Sequence, residues 1–411
     1  MTTSQILNEF DWASGRWVSA DGGETAAEIM ITADWAPIRA FEPIIARHPE
    51  SIYGDLLQEL RQSDLRIVNL ECPLTAGETQ VWKSGSMFKG LPSHIHGLTA
   101  VPFDVVTTAN NHVFDYGLAG FLETHRLLAE HGIRAVGSGR SLQEAREPLM
   151  VERKGIRIGI VNFSEGEDQT AATAGEPGVF GWELESARES VRELRSSVDV
   201  VIVISHCGVE YIPFPPPYVV QAFQALADAG ADLVIGHHPH VPQGVQIYQG
   251  VPICYSLGNF VFYQETSLVY RKTGYMVRAG VSKKGVTEIE LIPYDIQADR
   301  LSLLQKEKRD WFFKSLQQVS RPLAEPTGVA EAWHGFLCRY GKKGFQDEIR
   351  MLMERLDTEP EKGAAMFRNR ITTRQHQQHW VDTLNRIIAG SIDQAPDWSL
   401  SLLEQWMTQK R

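Results

Sequence analysis

Cysteine is scarce in this sequence: four in 411 residues (Cys72, Cys207, Cys254, Cys338), widely spaced and with no CxxC pair. That argues against a disulfide framework or a cysteine-based zinc site and fits a reducing compartment. Long apolar runs are missing too. No stretch reaches the roughly 18 residues needed to span a bilayer, and the opening MTTSQILNEFDWASGRW carries acids and no apolar run of signal-peptide length. The expectation is a soluble, cytoplasmic protein with no membrane span. There is no basic excess either: the formal charge is -11, which disfavours nonspecific contact with nucleic acid or an anionic membrane. The charge is uneven. Residues 300–411 hold 18 basic and 14 acidic side chains, a balance of +4, so the preceding 299 residues carry -15.

What is present is ordinary for a globular protein: 43% hydrophobic and 22% charged residues. The length allows one large catalytic domain and a smaller appendage. Residues 1–27 read as an irregular leader ending at the turn-prone Asp21-Gly22-Gly23. From 28 to 298, short β-branched runs alternate with helix-length segments, the pattern of a layered α/β domain. The clearest strands are 28–32, 65–69, 104–108, 157–162, 199–205, 233–236 and 252–256. Helices are expected over 53–62, 118–131, 184–195 and 218–229. The run Val200-Val201-Ile202-Val203-Ile204 predicts a sheet covered on both faces. Beyond about 298 the strands stop, and 299–411 reads as a helical region. There Trp380, Val381, Leu384, Ile387 and Ile388 share one helical face, as do Phe345, Ile349, Leu352 and Leu356. Trp311, Trp333, Trp380, Trp398 and Trp406 either pack this region onto the main domain or form a surface for a protein partner.

In α/β sheets, functional groups collect just past the carboxyl ends of strands. Five successive strands here deliver a carboxylate, amide or imidazole to such a place: Asp34, Glu71, Asn110-Asn111-His112, His206, and His237-His238-Pro239-His240. Singly, each has a plainer account. Asp34 caps a helix, Glu71 is a solvated turn residue beside Cys72-Pro73, Asn110-Asn111 is a turn, and His206 is a core histidine. The three imidazoles in four residues resist such an account best, since alternate residues of an extended segment point the same way and bring His238 and His240 to one metal cluster. Mixed carboxylate, imidazole and amide ligands suit Zn²⁺, Mn²⁺ or Fe. Two such ions about 3.5–4 Å apart are the usual arrangement for phosphoester hydrolysis. His112, beside Asn111, is placed to protonate a leaving group, with Asp115 close enough to hold its imidazole charged.

At these residues the sequence resembles the CapA family, proteins associated with capsule and poly-γ-glutamate biosynthesis and similar to a branch of the calcineurin-like metallophosphoesterases. The resemblance runs from about Ile29 to Val261. It rests on Asn69-Leu70-Glu71-Cys72-Pro73-Leu74, Lys83-Ser84-Gly85-Ser86-Met87-Phe88, Ala109-Asn110-Asn111-His112 with Asp115-Tyr116-Gly117, Ser205-His206-Cys207-Gly208-Val209-Glu210-Tyr211, Gly236-His237-His238-Pro239-His240-Val241 and Tyr255-Ser256-Leu257-Gly258-Asn259-Phe260. It implies a metallophosphoesterase-like β-sandwich flanked by helices, holding one or two divalent ions. Asp34 and His240 would hold the first metal, Glu71 would bridge, and Asn111, His206 and His238 would hold the second. His112 would be the proton donor. Asn259 either reaches the site or serves only the turn at Gly258-Asn259. Two departures stand out. The first motif is Asp34-Trp35-Ala36 where the phosphoesterase pattern has Asp-x-His, and the bridging acid is Glu71 in place of Asp. Cys72, His94 and His96 are candidate replacements for the missing imidazole.

Two functions follow. One is a metal-dependent hydrolase of a phosphoester or related polymer-linked bond. The other is a non-catalytic metal-containing component that binds or escorts an anionic polymer. Lys83, Lys89, Arg140, Arg271 and Lys272 suit an anionic ligand in either case, or are surface charges. The proline-rich stretch 213–217, stiff because proline fixes φ, is either a wall of the cleft or a connection that sets the next helix.

Overall fold

In the strand Val200–His206 the side chains divide by parity. Val200, Ile202 and Ile204 join one apolar cluster, whereas Val201 and Val203 join another with Val191, Val219 and Phe223 from two helices. A strand with hydrophobes on both sides has to be covered on both sides, and that requirement organises the molecule. In a computed structural model describing residues 10–410, two sheets lie face to face with helices outside them.

The strands are β1 (Arg16–Val18), β2 (Ala27–Trp35), β3 (Leu65–Leu70), β4 (Val105–Thr107), β5 (Arg134–Val136), β6 (Ser138–Gly139), β7 (Leu149–Arg153), β8 (Ile156–Ser164), β9 (Gly178–Val179), β10 (Val200–His206), β11 (Leu233–His237), β12 (Val245–Tyr248), β13 (Val251–Cys254), β14 (Thr273–Ser282), β15 (Gly285–Ile296) and β16 (Leu301–Leu303). The first sheet runs β1-β15-β14-β2-β3-β4-β5, with β16 on β15, and the second β12-β13-β11-β10-β8-β7. β2 to β5 are mutually parallel, as are β8, β10, β11 and β13. Ile202, Ile204 and Ile235 of the second sheet share a cluster with Ile31, Ile67 and Val277 of the first, which fills the space between them.

The helices are α1 (Glu42–Arg47), α2 (Leu56–Gln62), α3 (Ile95–Ala100), α4 (Gly117–Glu130), α5 (Leu142–Arg146), α6 (Leu184–Arg195), α7 (Pro217–Asp228), α8 (Lys306–Ala324), α9 (Gly328–Thr358), α10 (Pro360–Thr372), α11 (Arg374–Ile388) and α12 (Asp397–Thr408). α6 and α7 cover the outer face of the second sheet. α7 begins on Pro217, whose fixed φ suits a first helical position. The proline-rich stretch therefore sets this helix; Phe214 meets Trp398 of α12, and none of residues 213–217 lines the cavity beside His112.

The expected α/β architecture, layered sheets flanked by helices and followed by a helical C-terminal region, is present. Three details differ. The expected irregular leader lies partly outside the described residues, and the rest of it contains β1, which pairs with β15 and buries Trp17. One short strand, β16, follows residue 298 because it completes the edge of β15. The helical face expected at 380–388 is only partly covered. Trp380 packs on Phe345 and Phe367, but Val381, Leu384 and Ile388 stay exposed. Of the other tryptophans, Trp333 and Trp406 are buried and Trp311 stacks on Tyr270, while Trp398 remains partly exposed. Among the described residues no helix is long and apolar enough to cross a membrane.

Candidate metal centre

The parallel strands point their carboxyl ends at one place. Asp34 lies at the end of β2, Glu71 just past β3, Asn111 and His112 after β4, His206 at the end of β10, and His238 and His240 just past β11. All are buried. His206 Nε2 stands 3.3 Å from Glu71 Oε1, 3.0 Å from Asn111 Oδ1 and 3.1 Å from His238 Nδ1. On the other side of Glu71, His240 Nε2 is 3.6 Å from Oε1, and His240 Nδ1 is 3.5 Å from Asp34 Oδ2. Two atoms each about 2.1 Å from one ion stand about 3.0 Å apart at a right angle and about 3.4 Å at the tetrahedral angle. Those are the separations seen around His206 Nε2.

The hydrogen bonding points the same way. Glu71 is fully buried and neither carboxylate oxygen accepts a hydrogen bond among the described residues, a costly state for an acid unless a cation compensates it. Burial pushes the Glu71 carboxyl well above its ordinary range, helped by nearby Asp34, and lifts Asp34 to about 7. Burial and neighbouring imidazoles hold His206 and His240 far below the usual histidine value. Neutral imidazoles facing uncompensated carboxyls are the donor set a divalent cation takes up. The residues fit the implied metal, and Glu71 lies within reach of both halves of the cluster.

The backbone brings His238 and His240 together differently from the extended segment expected. Their φ angles are +98° and +55°, a region that L-residues occupy at a cost and that is concentrated at functional sites. Asn259, for which a turn role alone was one option, reaches the site: its Oδ1 is 2.9 Å from His240 Nδ1 and its Nδ2 donates to the His240 carbonyl. Cys72, His94 and His96 do not replace the missing imidazole at Ala36, since no metal-ligand group among the described residues includes them; His94 Nδ1 accepts from the Leu91 amide. Two residues quoted in the motifs but given no role stand nearer. Glu210 brings a carboxylate oxygen within 4.8 Å of His238 and His240 ligand atoms. His237 Nδ1 lies 3.4 Å from Asp34 Oδ1, both its ring nitrogens being buried without hydrogen bonds.

A second constellation adjoins the first. His112 Nδ1 bonds Asp115 Oδ2 at 2.7 Å, and Lys83 Nζ reaches Asp115 Oδ1 at 2.8 Å and the Asn111 carbonyl at 2.7 Å. Lys83 is buried, so it is not a surface charge. Burial outweighs Asp115 and lowers the His112 pKa, with Lys83 adding to the effect, so the charged imidazole expected from the Asp115 contact is disfavoured. His112 and Lys83 line a cavity of about 510 Å³ with Arg39, Phe88, Tyr211 and Arg271. The Arg271 guanidinium stacks over Tyr211 at 3.7 Å. Of the remaining basic candidates, Lys272 packs on the Tyr263 ring and Lys89 on Tyr116, and Arg140 is exposed; none of these three lines the cavity.

Residues 28–264 match the sequence model of the family described as bacterial capsule synthesis protein PGA_cap. The chain belongs to this family. All six candidate ligands, His112 and Asp115 fall inside the PGA_cap match. The chain is 32% identical over 252 residues to the PGA biosynthesis protein CapA of Bacillus subtilis, covering 60% of this chain and 65% of that protein. It is 28% identical over 271 residues to the capsule biosynthesis protein CapA of Bacillus anthracis, covering 63% and 65%. It thus spans just under two thirds of the length of these relatives. Among solved structures it has a distant likeness to a 5'-nucleotidase precursor from Thermus thermophilus, with 14% identity, a TM-score of 0.42, and coverage of 71% of this chain and 57% of that one.

Proposed function

We propose that the chain is a metal-dependent hydrolase of a phosphoester or related bond, acting in capsule or poly-γ-glutamate metabolism. The observation that carries this reading is the Glu71 carboxylate, fully buried without a hydrogen bond among His206, His238 and His240 beside Asp34. Asp34 and His240 would hold the first ion and Asn111, His206 and His238 the second, with Glu71 within reach of both groups. One or two divalent cations supply positive charge at the phosphoryl oxygens and acidify water when bound. His112, anchored to Asp115 through Nδ1, keeps Nε2 for the proton of the leaving group. A bound ester's negative charge raises the pKa that burial lowers, so the proton is present when the substrate is. Arg271 and Arg39 at the cavity meet the rest of an anionic substrate. Residues 28–298 form the catalytic unit, in a cytoplasmic protein. The names of the relatives support the polymer context.

The second reading, a non-catalytic component that binds an anionic polymer, is favoured by one observation: Ala36 stands where the phosphoesterase pattern has an imidazole. The test is a screen of phosphomonoesters and diesters with purified protein reloaded with Mn²⁺, Zn²⁺ or Fe²⁺. Turnover that requires metal supports the enzyme. Stoichiometric metal without turnover of any ester overturns it in favour of the binding role.

A further inference from the structure

The PGA_cap match ends at residue 264, but the surroundings of the metal centre do not. Helices α10 and α11 lie against the loops that carry it. Lys362 Nζ donates to the carbonyls of Lys83 and Gly85, at 3.0 and 2.8 Å. Asn369, fully buried, donates through Nδ2 to Ser84 Oγ and Glu167 Oε1, both at 2.7 Å, and accepts the Asp168 amide at 3.2 Å. The other oxygen of Glu167 accepts from Asn111 Nδ2 at 3.0 Å. This leaves Asn111 Oδ1, the only lone-pair donor of that side chain, facing His206. Gln375 is buried in the first turn of α11. Its backbone amide donates to Glu165 Oε2, and its side-chain Nε2 lies 3.4 Å from His238 Nε2.

We infer that Gln375 is a positioning residue of the metal centre: it holds His238 in the tautomer and orientation that offer Nδ1 to the ion. The inference rests on the metal-site reading above and deepens it. His238 Nδ1 faces His206 Nε2 at 3.1 Å, inside the ligand cluster, and Nε2 faces away from it, toward Gln375. A neutral imidazole that gives Nδ1 to a cation carries its proton on Nε2 and needs an acceptor there. The side chain within hydrogen-bonding distance of Nε2 is Gln375; its amide, placed with the nitrogen toward the ring, accepts that proton once turned to present Oε1, since the two ends of an amide are nearly alike in shape. No other side chain is hydrogen-bonded to His238 Nε2 among the described residues. The two ligands proposed to hold the second ion with His206 are thus each set by a group in or anchored by α10 and α11: Asn111 through Glu167 and Asn369, His238 through Gln375.

The test uses full-length protein and Mn²⁺ alone. Titrations followed by electron paramagnetic resonance compare the wild type with Gln375→Met, which removes the acceptor, and Gln375→Glu, which keeps it. Loss of such an outer partner costs about 10–100-fold in metal affinity. Gln375→Met should lose that much at one site and leave the other, while Gln375→Glu should bind within about threefold of wild type. Equal binding by Gln375→Met overturns the inference. Wild-type protein that binds no Mn²⁺ overturns the metal reading, and this inference with it, a result distinct from the first. A readout that survives poor folding of the Met variant is the ¹⁵N shift of His238 in metal-free wild type. The Nε2–H tautomer supports the assignment and the Nδ1–H tautomer overturns it.

Discussion

Two neighbouring groups of buried polar residues in this protein are finished to different degrees. Around His112, each charge has its counterpart: Asp115 receives His112 Nδ1, Lys83 Nζ and the Phe88 amide. Around Glu71, nitrogens and oxygens converge at 3.0–3.6 Å, and the carboxylate at the middle has no hydrogen bond at all. Folded proteins rarely leave buried polar atoms unpaired. The first group is satisfied by protein atoms alone; the second leaves its central carboxylate without a hydrogen bond among the candidate metal ligands. On the function proposed above, the first would be the proton-handling corner and the second the metal-holding one.

Four changes would break or sharpen this contrast. The largest effect is expected from Glu71→Gln, which keeps the shape and removes the charge. Metal bound per chain, measured by elemental analysis, should fall from stoichiometric to none and activity with it, while the metal-free protein melts higher because an uncompensated buried acid is gone. A lower metal-free melting temperature would place the carboxylate among the structural groups. Next, His112→Ala should leave metal content unchanged and cut turnover by about 10²–10⁴, the usual contribution of a positioned acid or base. The loss should be least for nitrophenyl esters, whose leaving groups need little protonation; metal loss instead would make His112 a ligand. Third, Lys83→Met removes one member of the paired group and leaves Asp115 short of a counter-charge, a cost of about 3–5 kcal/mol when a buried pair is broken. Denaturant unfolding should report a drop of that order, opposite in sign to the effect at Glu71. The smallest effect is expected from Asp115→Asn, which retains a hydrogen-bonding side chain; turnover should fall less than for His112→Ala, and an equal fall would give Asp115 a direct part in proton transfer.

Much of this was legible along the chain because it is local. A β-branched run ending in a carboxylate, amide or imidazole states both the strand and the ligand at its end, so Asp34, Glu71, Asn111 and His206 could be found one strand at a time. The hairpin of β14 and β15 gave a weaker signal. Its strands are broken by Gly274, Gly280 and the charges Arg278, Glu288 and Glu290, and the charges make sense only across strands, as Arg278 with Glu290 and Arg16 with Glu288. Lys83 reads as a loop lysine until the fold puts Asp115 beside it. Gln375 and Asn369 could not be found by spacing at all: their helix periodicity says where they lie on α10 and α11, not that those helices rest on residues 83–85 and 165–168. The positive φ of His238 and His240 was equally hidden, since strain of that kind is imposed by the surrounding structure.

The contact between Gln375 and His238 has a consequence in time. A chain is made from its amino end, so Asp34 through His240 leave the ribosome before Gln375 exists. At about 5–20 residues per second, the roughly 135 residues between His240 and Gln375 take about 7–27 s to add. During that interval the strands can pair and the imidazoles gather, but His238 has no fixed tautomer and Asn111 no anchored Glu167. Ion capture during synthesis would then be loose and reversible, and tight loading would wait for the helices that arrive late. On the proposed metal reading, the order in which the polypeptide appears would set when the centre can load.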